Sequence, residues 1–416
     1  MNASFAAFRP PCRVLVVVLL LTAPAIAAAQ AVGSGPLTSS LATSEPPAGL
    51  LRLGPAHIAP GVTVREAGWD SNIFDEATDP KEDYVIAVAP DVAVFTRLPA
   101  VQVSAYAGVN FNRYVEYESE NSTGYALRGR IDFLLSRLRP FLGAARIRIR
   151  ERPNGEIDTR ANRLEQEWSG GVAYDLSGQS AVYVSAFQNT VRYDNAFEEG
   201  INLSTSLDHD RNDYSVGVRT ELDSLTTLTV SGSYQEDKFH HDLLRNGDNR
   251  LATGTVNIGA DGIVSGVASV SYKDYRPVDP AVKPFRGFTA LGALTYSFLE
   301  VGRLTFNGLR TTEYSFDTAE AYYLENAATL YYTQRLFSGM DAQVRGGRSL
   351  LDYAYSNVTP AHEDHLDTVG GSVGYTLRNR TRISANYEYA RRRSPVLPER
   401  NYDRRRVYLA WTYAVQ

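Results

Sequence analysis

The chain has 416 residues and a formal charge of −5, a length that would hold two or three ordinary domains and a charge balance that offers nucleic acid no electrostatic footing. The one cysteine, Cys12, precedes the apolar run Val14 to Leu21 rather than following it, so it is not a lipidation site, and the exported chain has no thiol for a disulfide or for catalysis. Beyond residue 29 no stretch approaches the ~18 consecutive apolar residues of a membrane helix, and 26 Tyr and 32 Gly against two Met and three Trp suit a sheet-rich chain.

In chain order, residues 1–29 read as a secretory signal: Arg9 and Arg13, an apolar core too short to span a bilayer, then the small residues Ala27, Ala28 and Ala29 at the cleavage site. Residues 30–56 are rich in Pro, Gly and Ser, lack periodicity and read as a flexible periplasmic segment. From His57 onward apolar and polar residues alternate in segments of roughly ten to fourteen, as in a membrane strand. In one such segment Leu228, Val230, Gly232 and Tyr234 share a face opposite Thr227, Thr229, Ser231 and Ser233; in another Ile383, Ala385, Tyr387 and Tyr389 oppose Arg382, Ser384, Asn386 and Glu388.

The connections alternate too. Short turn signals fall near 96–99, 137–139, 177–179, 223–225, 261–263, 299–302, 337–339 and 378–380, at a spacing of about 40 residues. Longer polar segments lie between them, near 75–82, 116–122, 153–163, 195–209, 241–249, 277–284, 317–321, 356–364 and 393–401. Eight short turns and nine long loops predict an all-β, antiparallel transmembrane barrel of 18 strands over residues 57–416, with both termini periplasmic, in a bacterial outer membrane. A β-propeller of similar period would need four short strands per repeat, where this chain has two long ones. The final segment alternates Val407, Leu409, Trp411, Tyr413 and Val415 with smaller or polar residues; it resembles the C-terminal strand read by the barrel-assembly machinery, although it ends in Gln416 where Phe is usual.

A barrel of this size encloses an aqueous lumen, so inward side chains set what passes. In Ala144–Arg152 the alternation predicts Ala145, Ile147 and Ile149 toward lipid and Arg146, Arg148, Arg150 and Arg152 toward the lumen, because an Arg at mid-bilayer on the lipid face costs ~2–4 kcal/mol. The preceding strand places Arg128, Arg130 and Asp132 inward and Tyr125, Leu127, Ile131 and Phe133 outward. A turn at 137–139 then sets Arg130 beside Arg146 and Arg128 beside Arg148, a like-charge pairing that needs an offset. Inward Glu165 and Glu167 on the next strand supply it, beside Arg150 and Arg148 respectively. Two readings stay open: a salt-bridge ladder that stiffens the wall, or an anion-attracting strip, since the six Arg exceed the three acids by three.

Tyrosines recur toward the outer ends of upward strands, at Tyr114, Tyr117, Tyr272, Tyr275, Tyr314, Tyr353, Tyr355, Tyr387 and Tyr389. They read as an aromatic girdle at the lipid headgroups, or in part as platforms for sugar rings. The densest titratable cluster, His362, Glu363, Asp364 and His365, lacks metalloprotease spacing and reads as a solvated loop. No nucleophile, base and orienter set emerges, and neither an enzyme nor a cofactor is expected. The longest loop, 195–209, is the one expected to fold inward as a constriction, with its acids opposing the Arg strip.

The run Gly68-Trp69-Asp70-Ser71-Asn72-Ile73-Phe74, the acidic segment after it, and Ala89-Pro90-Asp91 on the next strand resemble the opening of the putative β-barrel porin 2 family of outer-membrane barrels. The resemblance implies a channel that conducts exported polysaccharide, working with a periplasmic polysaccharide export protein. The strand rhythm alone implies only a pore, so a general or anion-preferring diffusion porin for small solutes is the alternative.

Overall fold

A segment with one oily and one wet face has no internal partners for its backbone amides; in a bilayer it finds them only on neighbouring strands, and an exposed sheet edge is intolerable. The chain answers with a closed wall. The structure, a computed structural model, describes residues 51–298, 301–353, 361–377 and 381–414. Eighteen long strands, of 12 to 16 residues each, carry the fold: β1 (Ala56–Asp70), β2 (Asp83–Arg97), β3 (Val101–Tyr114), β4 (Ser122–Phe133), β5 (Leu138–Glu151), β6 (Ala161–Asp175), β7 (Ser180–Tyr193), β8 (His209–Glu221), β9 (Thr226–Phe239), β10 (Gly247–Ile258), β11 (Val264–Pro277), β12 (Phe285–Phe298), β13 (Gly302–Tyr314), β14 (Tyr322–Phe337), β15 (Met340–Asp352), β16 (Glu363–Leu377), β17 (Thr381–Arg393) and β18 (Tyr402–Ala414). Each pairs antiparallel with its sequence neighbours, and β1 pairs with β18 from Gly61 against Ala414 to Asp70 against Arg406, which closes the ring.

The expected strand count therefore stands, and so does the alternation of connections: short turns such as 98–100, 176–179 and 222–225 at one end, long loops such as 71–82, 152–160 and 194–208 at the other. The chain enters β1 and leaves β18 at the short-turn end. The signal segment and most of the flexible segment lie outside the described residues. Residues 51–53, expected to be flexible, instead form a short strand against Ala56–Ile58. The turn near 378–380, part of that near 299–302, part of the 356–364 loop and Tyr355 are likewise outside the described residues.

The outward face is recognised by apolar side chains that project from the wall: Leu142, Trp168, Val216, Val230, Phe288, Val344, Val369 and Leu409 are all more than half exposed. Facing inward are Thr229, Ser231, Ser233 and their cross-strand neighbours, in agreement with the sequence pattern; Ser185 and Ser215 bond across the inner face at 2.7 Å. Strands of this length, at ~3.3 Å per residue and a tilt near 40°, stand roughly 30–40 Å tall against an apolar band of about 25 Å. Their upper ends rise beyond the hydrocarbon.

That excess height overturns one expectation. Arg146 and Arg148 do not face the lumen: Arg146 pairs with Leu127 and Gln166, Arg148 with Tyr125 and Leu164, and Leu127 and Leu142 on this row project outward. Arg150 belongs to the same row and ties to the 115–121 loop. Ala145, Ile147 and Ile149 turn inward, opposite Glu167, Glu165 and Arg163. The anticipated cross-strand pairs of Arg130 with Arg146, Arg128 with Arg148, Arg150 with Glu165 and Arg148 with Glu167 do not form; Arg130 opposes Gly143 and Arg128 opposes Ala145. The physical reason is depth. Arg146 and Arg148 sit near the outer end of β5, where an outward Arg costs only ~0–1 kcal/mol, so the penalty invoked to turn them inward does not apply.

The tyrosine girdle is also redistributed. Tyr272 and Tyr387 point outward, but Tyr275, Tyr314 and Tyr353 turn inward against the external loops. At the short-turn end Tyr174, Tyr296, Tyr332, Tyr375 and Tyr413 project from the wall, with Phe298 stacked between Tyr296 and Tyr332.

Candidate functional site

A pore is defined by its narrowest part, and here the external loops supply the material for it. The 152–160 loop leaves the wall between β5 and β6 yet bonds to strand ends six or seven positions away around the ring. Asn154 donates to the Tyr314 carbonyl (3.3 Å), while Glu156 accepts from the Ser315 hydroxyl (2.8 Å) and the Phe316 amide (3.1 Å). From β17, Arg392, fully buried, donates to the Glu156 carbonyl (3.0 Å), to Asp364 (2.8 Å) and to Asp158 (3.5 Å). The loop is thus held across the lumen by groups on the far wall.

The 194–208 loop closes over it. It contains a two-residue hairpin, Phe197–Glu198 against Ile201–Asn202, and a short helix, α1 (Leu203–Leu207), capped by the Asn202 side chain. Leu203 and Leu207 bury against Ile157, Ala161 and Phe316. Glu198 accepts from the amides of Asp158 and Thr159 (3.2 and 2.8 Å), and Glu199 pairs with Arg400 of the 394–401 loop (2.6 Å). This loop does fold inward as expected. Its acids, however, meet backbone amides and Arg400 rather than an Arg strip. The 240–246 loop contributes Arg245, fully buried, which donates to the carbonyls of Ser315 (2.7 Å) and Glu320 (3.3 Å).

The N-terminal motif is the knot of this assembly. Gly68 lies at the closure seam, where a Cβ would run into the Val407 carbonyl and the Tyr408 backbone. Asp70 accepts twice from the Arg404 guanidinium (2.9 and 3.0 Å), and Asn72 braces the turn through Glu76 N–H and carbonyl (3.0 and 2.9 Å). Ile73 is fully buried and its carbonyl accepts from both Arg152 (2.8 Å) and Arg160 (2.5 Å); Asp75, at a φ of 58°, pairs with Arg152 (3.0 Å) and Arg404 (3.3 Å). Phe74 meets Tyr117 edge to face. Pro90, the second part of the motif, interrupts the pairing of β2 with β3 and leaves Asp91 to accept from Tyr106 (3.4 Å).

Electrostatics in the loop layer follow from burial. Desolvation pushes the carboxyls of Glu156 and Asp158 up to about 7, against the pull of Arg400 on the first and of Arg392 on the second. Burial and the neighbouring Arg152 bring the Arg160 guanidinium down to about 10. Burial works against the Arg400 charge, but Glu199 and Glu156 hold it above the usual range.

Of the sequence-derived candidates, Arg128, Arg130, Asp132, Glu165 and Glu167 do share the inner face: Arg130 pairs with Asp132 and lies over the Phe141 ring (4.1 Å), and Glu165 pairs with Arg163 (2.6 Å). Arg152 joins the loop layer, and Arg146, Arg148 and Arg150 leave the lumen. Two inward wall Arg against three acids make no basic strip. Asp364 of the His362–His365 run is a buried partner of Arg392, while His362 stacks on Tyr353 (4.4 Å); no group of three metal-ligating side chains occurs among the described residues. Sequence reading missed Arg392, Arg400 and Arg404. The signal was present: in the runs Arg391–Arg393 and Arg404–Arg406, alternation sends Arg392, Arg404 and Arg406 to the face opposite their neighbours.

A closed antiparallel wall with an apolar outer band, a polar inner face and external loops folded into the lumen defines an outer-membrane β-barrel of porin type. The chain belongs to the family described as Putative beta-barrel porin 2, whose sequence profile matches residues 46–414. No curated protein matches it by sequence. Among solved structures it is similar to OccK2 (OpdF) of Pseudomonas aeruginosa in complex with glucuronate (11% identity, TM-score 0.50, 87% of this chain and 98% of that one), to OccAB3 of Acinetobacter baumannii (10%, 0.49, 87% and 100%) and to OpdK of P. aeruginosa (10%, 0.47, 86% and 99%). At these identities the likeness is one of fold.

Proposed function

We propose that this barrel is a passive diffusion porin for small solutes, with its constriction built by the 152–160 and 194–208 loops. The observation that supports this most is the anchoring of the 152–160 loop on the far wall through Glu156, Asp158 and Arg392. A hydrated polysaccharide needs a continuous wide bore, and a strap held by buried ion pairs obstructs one. The reading as a conduit for exported polysaccharide, served by a periplasmic export protein, therefore rests on the N-terminal resemblance alone. Export through a signal at residues 1–29 and insertion by the barrel-assembly machinery complete the proposal. Anion preference is not part of it, because the expected Arg strip is dispersed.

The test is electrical and osmotic. Purified protein in planar bilayers should give discrete conductance, and proteoliposomes should swell in monosaccharides but not in large dextrans. Replacing residues 153–159 with a short Gly linker should raise unit conductance several-fold. No uptake of small sugars by the wild type, together with loss of surface polysaccharide when the protein is removed from cells, would overturn the proposal in favour of glycan export.

A further inference from the structure

We infer that the inner wall of β4–β6 holds a binding site for a small zwitterion, a solute with one carboxylate and one ammonium such as an amino acid. The inference rests on the reading of the barrel as a small-solute porin and names a substrate class for it. Arg128 and Glu167 lie near the middle of β4 and β6 and share one row through the register, Arg128 opposing Ala145 and Ala145 opposing Glu167. Between them stands only the buried methyl group of Ala145. Two strand spacings set the pair ~10 Å apart. Neither residue forms an ion pair or a hydrogen bond among the described residues; the Arg128 guanidinium lies over the Tyr106 ring, 5.9 Å from its centroid.

The charges nearest Glu167 are Glu165 and Arg128. Every other charge around the row has a partner: Glu165 pairs with Arg163, Arg130 with Asp132, Arg211 with Asp237, and Asp91 accepts from Tyr106. Asp213 on β8 forms no ion pair, but it opposes Phe187 and Gln235 and so lies one row lower. One free guanidinium and one free carboxylate thus flank a gap too wide for them to meet. A solute carrying both charges fills it. Its carboxylate matches the planar fork of Arg128, and its ammonium, a donor with no acceptor, matches Glu167. Contacts of about 2.8 Å at each end leave the length of a small amino acid within a span of this order. The Glu167 end offers further acceptors. Asn189, opposite Glu167 on β7, is 6% exposed and its Oδ1 has no donor; Ser169, the next inward residue on β6, is also buried with an unpartnered hydroxyl. A stiffening ladder does not leave such groups open: where one occurs, as at Glu388 with Arg345 and Arg406, the charges meet directly. A zwitterion has no net charge, so its recognition requires no excess of one sign in the lumen.

The experiment uses the full-length protein in proteoliposomes at neutral pH, with uptake of radiolabelled L-alanine measured beside swelling in xylose. Alanine uptake should saturate, while xylose entry should rise in proportion to its concentration. R128Q and E167Q should each raise the half-saturating alanine concentration by about tenfold or more, the loss of one charge-assisted contact, and leave xylose entry unchanged. D213N, off the row, should leave half-saturation at the wild-type value. On the wild type, propionate and isopropylammonium, which keep one charge each, should inhibit alanine uptake far less than unlabelled alanine does. Folding of each variant is checked by heat-dependent gel mobility; if a variant fails to fold, the wild-type competition decides the question. Alanine uptake that does not saturate while xylose enters, inhibition by isopropylammonium or propionate equal to that by alanine, or an effect of D213N equal to that of E167Q would overturn the site. Failure of xylose itself to enter would instead overturn the porin reading beneath it.

Discussion

Arg404 and Asp70 show how much one residue pair carries. Both are buried at the closure seam, and Arg404 also serves Asp75 while its carboxylate partner Asp70 caps the Asn72 amide. Removing one partner of such a pair strands the other charge, at a cost of about 3–5 kcal/mol. Arg404→Ala should therefore lower the midpoint of denaturant unfolding in micelles sharply, and adding Asp70→Asn should recover part of the loss; an unchanged midpoint for the single variant would show the pair to be solvated. The outward arginines behave differently because of depth. Arg146→Leu should change stability by ~1 kcal/mol or less, whereas Leu142→Arg, four residues deeper on the same face, should cost ~2–4 kcal/mol. The reverse order in unfolding titrations would restore the lumen-facing assignment of Arg146. This contrast also marks what the sequence could reveal at the residue scale. Alternation at Ala144–Arg152 separates two faces correctly, yet which face looks outward depends on height above the membrane, a property of the assembled wall. Arg128, Arg130 and Asp132 were legible because Leu127 and Ile131 beside them name the lipid side.

At the scale of elements, the loops were visible in outline only. Their positions follow from polar segments between alternating strands, so the lengths and the order of loops 71–82, 152–160 and 194–208 were readable, as was the inward fold of the last. Their mutual contacts were not, since Glu156 meets Ser315 and Arg392 from 159 and 236 residues away. Those contacts make the strap sensitive to pH. Glu156 faces Ser315, the Phe316 amide, Arg400 and Arg392; Asp158 faces Arg392, Arg152, Asp75 and Glu198. Burial raises both carboxyls to about 7, so the packed loop binds protons that a released loop would give up. Its packing is then strongest below the ordinary carboxylate range and weakens as pH rises through about 7. Mean conductance and channel noise should increase between pH 5 and pH 8, and Glu156→Gln with Asp158→Asn should flatten that dependence. An increase toward acid pH instead would contradict the assignment of the strap to these two carboxyls.

Over the whole molecule, selectivity is set by how charges are distributed around the ring rather than by any one strand. The inner face carries both signs in close pairs: Arg345 and Arg406 share Glu388, Arg211 holds Asp237, Arg163 holds Glu151 and Glu165, and Arg382 holds Asp341. A paired charge contributes a dipole, whose field falls off across an aqueous lumen much faster than that of a lone charge. The six-arginine strip is reduced to Arg128 and Arg130 on the wall with Glu165 and Glu167 beside them, and farther round Glu313 and Glu325 face Arg211 and Lys273, so both signs meet a passing ion in each of these sectors of the described wall. Reversal potentials in a salt gradient should accordingly give a cation-to-anion permeability ratio within about tenfold of unity, a discrimination below ~1.4 kcal/mol. Opening one pair should bias it in a defined direction: Glu388→Gln frees Arg345, leaving Arg406 on Glu66 alone, and should shift permeation toward anions, while Arg211→Gln leaves the Asp237 charge without its cation and should shift it toward cations. Opposite shifts of comparable size from these two variants would establish that selectivity is held near neutral by pairing around the wall, and identical shifts would place the selectivity filter in the loop layer instead.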